Sequence, residues 1–173
     1  PLIWRFALKD YMRERLLVFL SPEADPLGAG YSTLQARISI GAGRFWGAGF
    51  QAGSQSQLQF LRVRHTDYIF SVLAEELGFI GGVVLLLLLG VVLVRIVKIA
   101  AEARDGFGQL LASGVALVIL FQSFVNIGMN LGIVPATGIT LPFVSHGGSS
   151  LLTLLIAEGL VQSVAIHRKR LEF

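Results

Sequence analysis

Asp67, Ser71 and Glu75 stand four residues apart, so on a helix they share one face. At 1.5 Å per residue their row is about 12 Å long. Gln122, Asn126 and Asn130 repeat the spacing, and Glu158 stands alone in a later apolar stretch. Glu76 lies about 100° round the helix from Glu75. All of these sit within or beside segments apolar enough to lie in lipid. An ionisable group there is costly unless it is paired or hydrated, so it marks a functional cavity by default. Three successive helices carrying such groups can converge on one cavity opening to the outer side. Each set also has a structural reading. Thr66-Asp67 ahead of an apolar helix has the chemistry of an N-cap, which satisfies free amides. Asn and Gln rows serve as glue between membrane helices. Glu158 suits a buried donor, and Glu75 and Glu76 can pair with basic residues elsewhere.

The elements that position these groups follow from charge. Residues 106–145 contain no Asp, Glu, Lys or Arg, and Pro135, Gly138 and Pro142 interrupt the far end of the run. One crossing needs only about 20 apolar residues. The run is therefore a spanning helix followed by an irregular segment, whose backbone must be buried in protein or line a wet cavity. The chain is 54% hydrophobic and only 14% charged, with 20 glycines that suit close helix packing in lipid. A net charge of +3 on such a chain gives no case for nucleic acid, and without cysteine there is neither disulfide nor thiol chemistry.

The expected fold is an all-α polytopic membrane protein with about three full spans, the end of a preceding one and a long extracytoplasmic loop. Residues 1–5 read as the end of the earlier span, 6–66 as the loop with interfacial helices, and 67–98 as the first full span. A cytoplasmic link (99–106) leads to a second span (107–133), and 134–148 is the extracytoplasmic, re-entrant segment. A third span (149–167) ends in a basic cytoplasmic tail (168–173). Lys and Arg in short flanks set this orientation, while loops of about 60 residues translocate largely regardless of charge. Eight of the 14 basic residues nevertheless fall between Arg5 and Arg64, in the loop placed outside.

Several motifs carry little chemistry. The run Gly41-Ala42-Gly43-Arg44-Phe45-Trp46-Gly47-Ala48-Gly49 lacks the strand and the Lys-Ser/Thr of a phosphate loop. It reads better as an interfacial loop anchored by Phe45, Trp46 and Phe50. Gly78-x-x-x-Gly82 and Gly128-x-x-x-Gly132 read as helix-contact faces. His65-x-Asp67 is not zinc-ligand spacing, and no ligand set for a divalent cation is visible. Ser145 and Ser149 lack the strand-turn-helix setting of a nucleophile elbow.

The stretch from Asn126 to Ser150, NIGMNLGIVPATGITLPFVSHGGSS, resembles the signature of the SEDS family of shape, elongation, division and sporulation proteins. His65-Thr66-Asp67-Tyr68-Ile69-Phe70 with Ala74-Glu75-Glu76-Leu77-Gly78 resembles a second family block, and Ser54-Gln55-Ser56-Gln57-Leu58-Gln59-Phe60-Leu61 is closer to the RodA branch than to FtsW. The resemblance covers essentially the whole chain, as the C-terminal half of a longer protein. It departs at His146, usually tyrosine, and at Ala48, often lysine.

The resemblance implies a glycosyltransferase that polymerises lipid II outside the bacterial cytoplasmic membrane, paired with a class B penicillin-binding protein. An alcohol is a poor nucleophile, so a positioned carboxylate should take its proton. The resemblance gives that general-base role to Asp67, with undecaprenyl diphosphate as the leaving group. Arg44, Arg62 and Arg64 are candidates to meet the diphosphate's charge. Glu75 would tune Asp67 or shape its cavity, and Asn126 and Asn130 would supply hydrogen bonds to sugar or backbone. His65, Thr66, Ser145 and Ser149 complete the candidate substrate contacts. The rival functions are a lipid II flippase and a non-catalytic scaffold that activates the penicillin-binding protein.

Overall fold

A computed structural model describes Arg15, Leu17, Phe19 and residues 29–49 and 67–167. Arg62, Arg64, His65, Thr66, Phe50, the first five residues and the basic tail lie outside the described residues. Four helices are described: α1 (Ala29–Ala42), α2 (Ile69–Ala101), α3 (Gly106–Leu131) and α4 (Gly148–Ile166). α2, α3 and α4 are long and apolar enough to cross a membrane.

Local chemistry sets the ends of α3. The Asp105 carboxylate accepts the Gly108 N–H at 3.1 Å, occupying a free amide at the positive end of the helix dipole. An Asp105→Ala change is expected to remove about 1 kcal/mol of stability. The check is the unfolding midpoint of the detergent-solubilised protein, and an unchanged midpoint would argue against the cap. At the other end Gly132 adopts the left-handed conformation (φ 69°, ψ 29°), and its N–H bonds to Gly128 and Met129 carbonyls. The chain leaves the helix there.

Ala112 and Ala116 let the helices approach closely, and Ile96, Ala100, Ile119, Leu154 and Val161 fill the core that α2, α3 and α4 share. A second cluster, Phe70, Leu85, Leu89 and Leu141, ties α2 to the segment after α3. The link through residues 102–105 lies at one end of the bundle. At the other end, the start of α2 meets the end of α3 and the 132–147 segment.

α2 is not one continuous helix. Gly78 (φ 69°, ψ −167°) breaks it, in a backbone region that only glycine adopts readily. The break strands carbonyls before it and amides after it, which lipid cannot satisfy. The turn after α1 satisfies them instead. Ala48 N–H donates to Glu75 O at 2.8 Å and Gly49 N–H to Glu76 O at 3.1 Å. Phe79 N–H donates to Arg44 O at 2.8 Å and Ile80 N–H to Phe45 O at 3.3 Å. The glycine-rich run is thus a plug in a helix break, although Phe45 and Trp46 do stay exposed at 69% and 84%.

Two sequence expectations are corrected here. Asp67, Ser71 and Glu75 do not descend along a single straight span, because the piece before Gly78 lies against the end of α3. The large apolar side chains left exposed on α2 begin only at Leu77. From Phe79 to Ala101 the helix still covers about 34 Å, enough for the hydrocarbon core. The two Gly-x-x-x-Gly motifs are not helix-contact faces either. A Cβ on Gly82 would meet only the Phe70 ring, and one on Gly128 would meet Val134, while Gly78 and Gly132 serve backbone geometry.

Candidate active site

α2 begins at Ile69 with Tyr68 in the cap position and no side-chain cap. Asp67 is therefore not a helix cap. It is half-buried, and a Cβ built on Gly138 would stand 3.8 Å from its Oδ2, so the carboxylate lies against the irregular segment after α3. Its backbone carbonyl is held from behind. Asn126 Nδ2 donates to it at 3.0 Å and Asn130 Nδ2 at 3.1 Å. The next residue, Tyr68, is buried beneath α1, with its hydroxyl 3.3 Å from Thr33 Oγ1. Burial pushes the Tyr68 phenol above its usual range, the Thr33 hydrogen bond and Arg15 oppose that rise, and the Asp67 charge adds to it. The phenol stays neutral beside the carboxylate.

The irregular segment has its carbonyls satisfied by side chains from other elements, as a non-helical stretch at membrane depth requires. Arg37 Nη2 donates to Gly132 O at 2.8 Å. Arg15 Nη1 reaches Ala136 O at 3.1 Å and Thr137 O at 3.2 Å. Asn126 Nδ2 donates to Ile139 O at 2.7 Å. Thr140 Oγ1 and Ser150 Oγ lie 2.8 Å apart and join the segment to α4. A tight turn closes it: Leu141 N–H donates to Ser145 Oγ at 2.8 Å, with Phe143 left-handed at φ 63°. Arg15 and Arg37 were not singled out from sequence. Their signal was available, as basic residues in the one polar stretch opposite a run of unsatisfied carbonyls.

Residues 1–170 match the family of cell cycle proteins that groups FtsW, RodA and SpoVE. The chain belongs to the FtsW/RodA/SpoVE family. It is 49% identical over 171 residues to the peptidoglycan glycosyltransferase MrdB of Escherichia coli K12, covering 99% of the chain and 46% of that protein. To the peptidoglycan glycosyltransferase RodA of Treponema pallidum it is 46% identical over 157 residues, 91% of the chain and 36% of that protein. The chain thus spans less than half the length of either relative. Among solved structures, a peptidoglycan synthase complex described as coordinating polymerization and crosslinking matches with a TM-score of 0.74 and 40% identity. That match covers 99% of this chain and 45% of the other. RodA of Thermus thermophilus matches with a TM-score of 0.56 and 33% identity over 93% of this chain and 57% of that one. This family member is accordingly an all-helical, multi-pass membrane protein.

Within this FtsW/RodA/SpoVE chain the remaining candidates separate. Ser71, Glu75, Asn126 and Asn130 are all 0% exposed. These four side chains are closed off from solvent within the fold, while Asp67 and Gln122, the first residue of each row, stay partly exposed. The Asn126 and Asn130 amides bond backbone carbonyls, and Glu75 is buried two turns along the chain from Asp67. Ser145 closes the turn through its hydroxyl. Arg44 gives its carbonyl to the helix break and is among the residues that line an apolar cavity of about 260 Å³ with Phe79, Val83 and Ile127. Ser149 lies on a larger groove of about 590 Å³ between α3 and α4, with Gln122, Ser150 and Thr153. Gln122 Oε1 and Glu158 Oε1 are buried with no hydrogen-bond partner among the described residues. Nor do any three His, Cys, Asp or Glu side chains converge as a metal site among them.

Proposed function

We propose that this chain carries the catalytic aspartate of a peptidoglycan glycosyltransferase that polymerises lipid II on the outer face of the cytoplasmic membrane. The observation that carries the reading is the half-buried Asp67 carboxylate, turned toward Gly138 at the end of the bundle opposite the charged link, on a main chain that two buried amides hold in place.

The 4-hydroxyl of one lipid-linked N-acetylglucosamine attacks the anomeric carbon of a neighbouring N-acetylmuramic acid. As the new C–O bond forms, the hydroxyl proton passes to Asp67. The bond from the anomeric carbon to the diphosphate breaks, and the electron pair leaves with undecaprenyl diphosphate. A single displacement of this kind inverts the anomeric centre. Cationic groups must meet the charge on the leaving group, and Arg62 and Arg64, just before Asp67 in the chain, are placed by sequence to do so. The names of the relatives and the likeness to a complex that joins polymerization to crosslinking support this chemistry. They also support a class B penicillin-binding protein as partner.

Burial favours polymerisation over transport. A flippase needs a polar route for the headgroup through the hydrocarbon, yet Ser71, Glu75, Asn126 and Asn130 are sealed from solvent. Polymerisation of purified lipid II by the full-length protein with its partner, with Asp67 intact or changed to Asn, is the direct test.

A further inference from the structure

We infer that Asn126 and Asn130 are positioning residues for Asp67: together they keep it out of helix α2 and fix its carboxylate against the loop. This rests on the general-base reading of Asp67. An asparagine side chain offers two N–H donors and one acceptor oxygen. Asn130 uses them to replace a helical hydrogen bond. In a continued helix the Ser71 N–H would donate to the Asp67 carbonyl four residues back. Here Ser71 N–H donates to Asn130 Oδ1 at 3.2 Å, and the Asp67 carbonyl accepts from Asn130 Nδ2 at 3.1 Å. The side-chain amide is spliced between the two halves of that bond. Ser71 N–H makes a tighter turn contact to Tyr68 O at 3.2 Å, and Ser71 Oγ caps the same carbonyl at 2.7 Å.

The splice decides where the carboxylate points. Were Asp67 drawn into the first turn of α2, it would join Ser71 and Glu75 on their shared face. Both are fully buried, so the carboxylate would turn inward, away from any substrate. Asn126 adds the second constraint. Its Nδ2 bridges the Asp67 carbonyl at 3.0 Å and the Ile139 carbonyl at 2.7 Å, next to the Gly138 that faces Asp67 Oδ2. The spacing between base and loop is thereby set by one side chain. Asn130 Nδ2 also donates to the Asn126 main-chain carbonyl at 2.8 Å and lies 3.4 Å from Asn126 Oδ1, so the two residues are held together. Both residues are 0% exposed and touch no substrate, so they act only through Asp67 and the loop.

The test uses the full-length protein purified with its penicillin-binding partner and assayed on lipid II. Asn126→Leu and Asn130→Leu are each expected to lower kcat about ten- to a hundredfold, with KM and lipid II binding within about twofold of wild type. Asn130→Gln, which keeps both amide functions on a longer arm, should recover part of the loss. Should Asn130→Leu fail to fold, Asn126→Leu and Asn130→Gln carry the same comparison. In an Asp67→Glu background, whose longer arm has already lost the register, the asparagine changes should add little, whereas a general loss of fold would multiply through. Wild-type kcat in the asparagine variants, or full additivity with Asp67→Glu, overturns the positioning role. An inactive Asp67→Asn beside fully active asparagine variants would remove this inference alone, while an active Asp67→Asn would remove the general-base reading beneath it.

Discussion

Full-length protein carrying Asp67→Asn is expected to bind lipid II and to make glycan strands at least a hundredfold more slowly than wild type. The substitution preserves shape and removes only the proton acceptor. It leaves the main chain where it was, because the Asn126 and Asn130 amides hold the carbonyl of residue 67 and not its side chain. Nor does it remove a helix cap, since α2 starts without one. The loss is therefore chemical: a positioned base contributes about 10²- to 10⁴-fold, or roughly 3–5 kcal/mol of barrier. The measurement is product formation from purified lipid II, with binding followed separately. Wild-type strand synthesis by the mutant would end the enzyme reading. In particular, synthesis that persisted in the partner's own active site would favour the scaffold.

The helices were legible because charge is so expensive in lipid. The uncharged run through 106–145 and the charged link between Arg95 and Asp105 leave little freedom in where α2 ends and α3 begins. The irregular segment was legible for the same reason, from Pro135, Gly138 and Pro142. What periodicity could not supply is the neighbour a face meets. Asn126 and Asn130 share a face by spacing alone. That one of them would enter the hydrogen-bond ladder of another helix depends on how α2 crosses the end of α3. Glu75 shows a related limit. A carboxylate in a row beside Asp67 suggests a shared cavity, yet the fold turns that face inward and buries it completely. Arg37 and Arg15 escaped notice because a need for donors among the carbonyls of an irregular segment does not say which basic residue meets which carbonyl.

Gly78 shows the same limit most clearly, and it carries the second large expected effect. With Gly82 it reads as a small-residue contact pair, but it is the point where α2 breaks. Gly78→Ala is expected to cost the protein most of its folded yield. The backbone there (φ 69°, ψ −167°) costs about 1–3 kcal/mol for a residue with a Cβ. The added carbon would also collide with the backbone nitrogen of Gly47 and stand 2.6 Å from the Phe45 carbonyl oxygen. If the turn withdraws to relieve that collision, four backbone hydrogen bonds across the break are lost. Each group left unpaired in lipid adds about 1–3 kcal/mol more. Gly82→Ala is the matched control, because its Cβ would rest 3.8 Å from the Phe70 ring, an ordinary contact. The two variants are compared by recovery of monodisperse protein from detergent and by thermal unfolding. Similar yields and midpoints would mean that the break is not required, and that the turn after α1 does not hold the half-helix that presents Asp67.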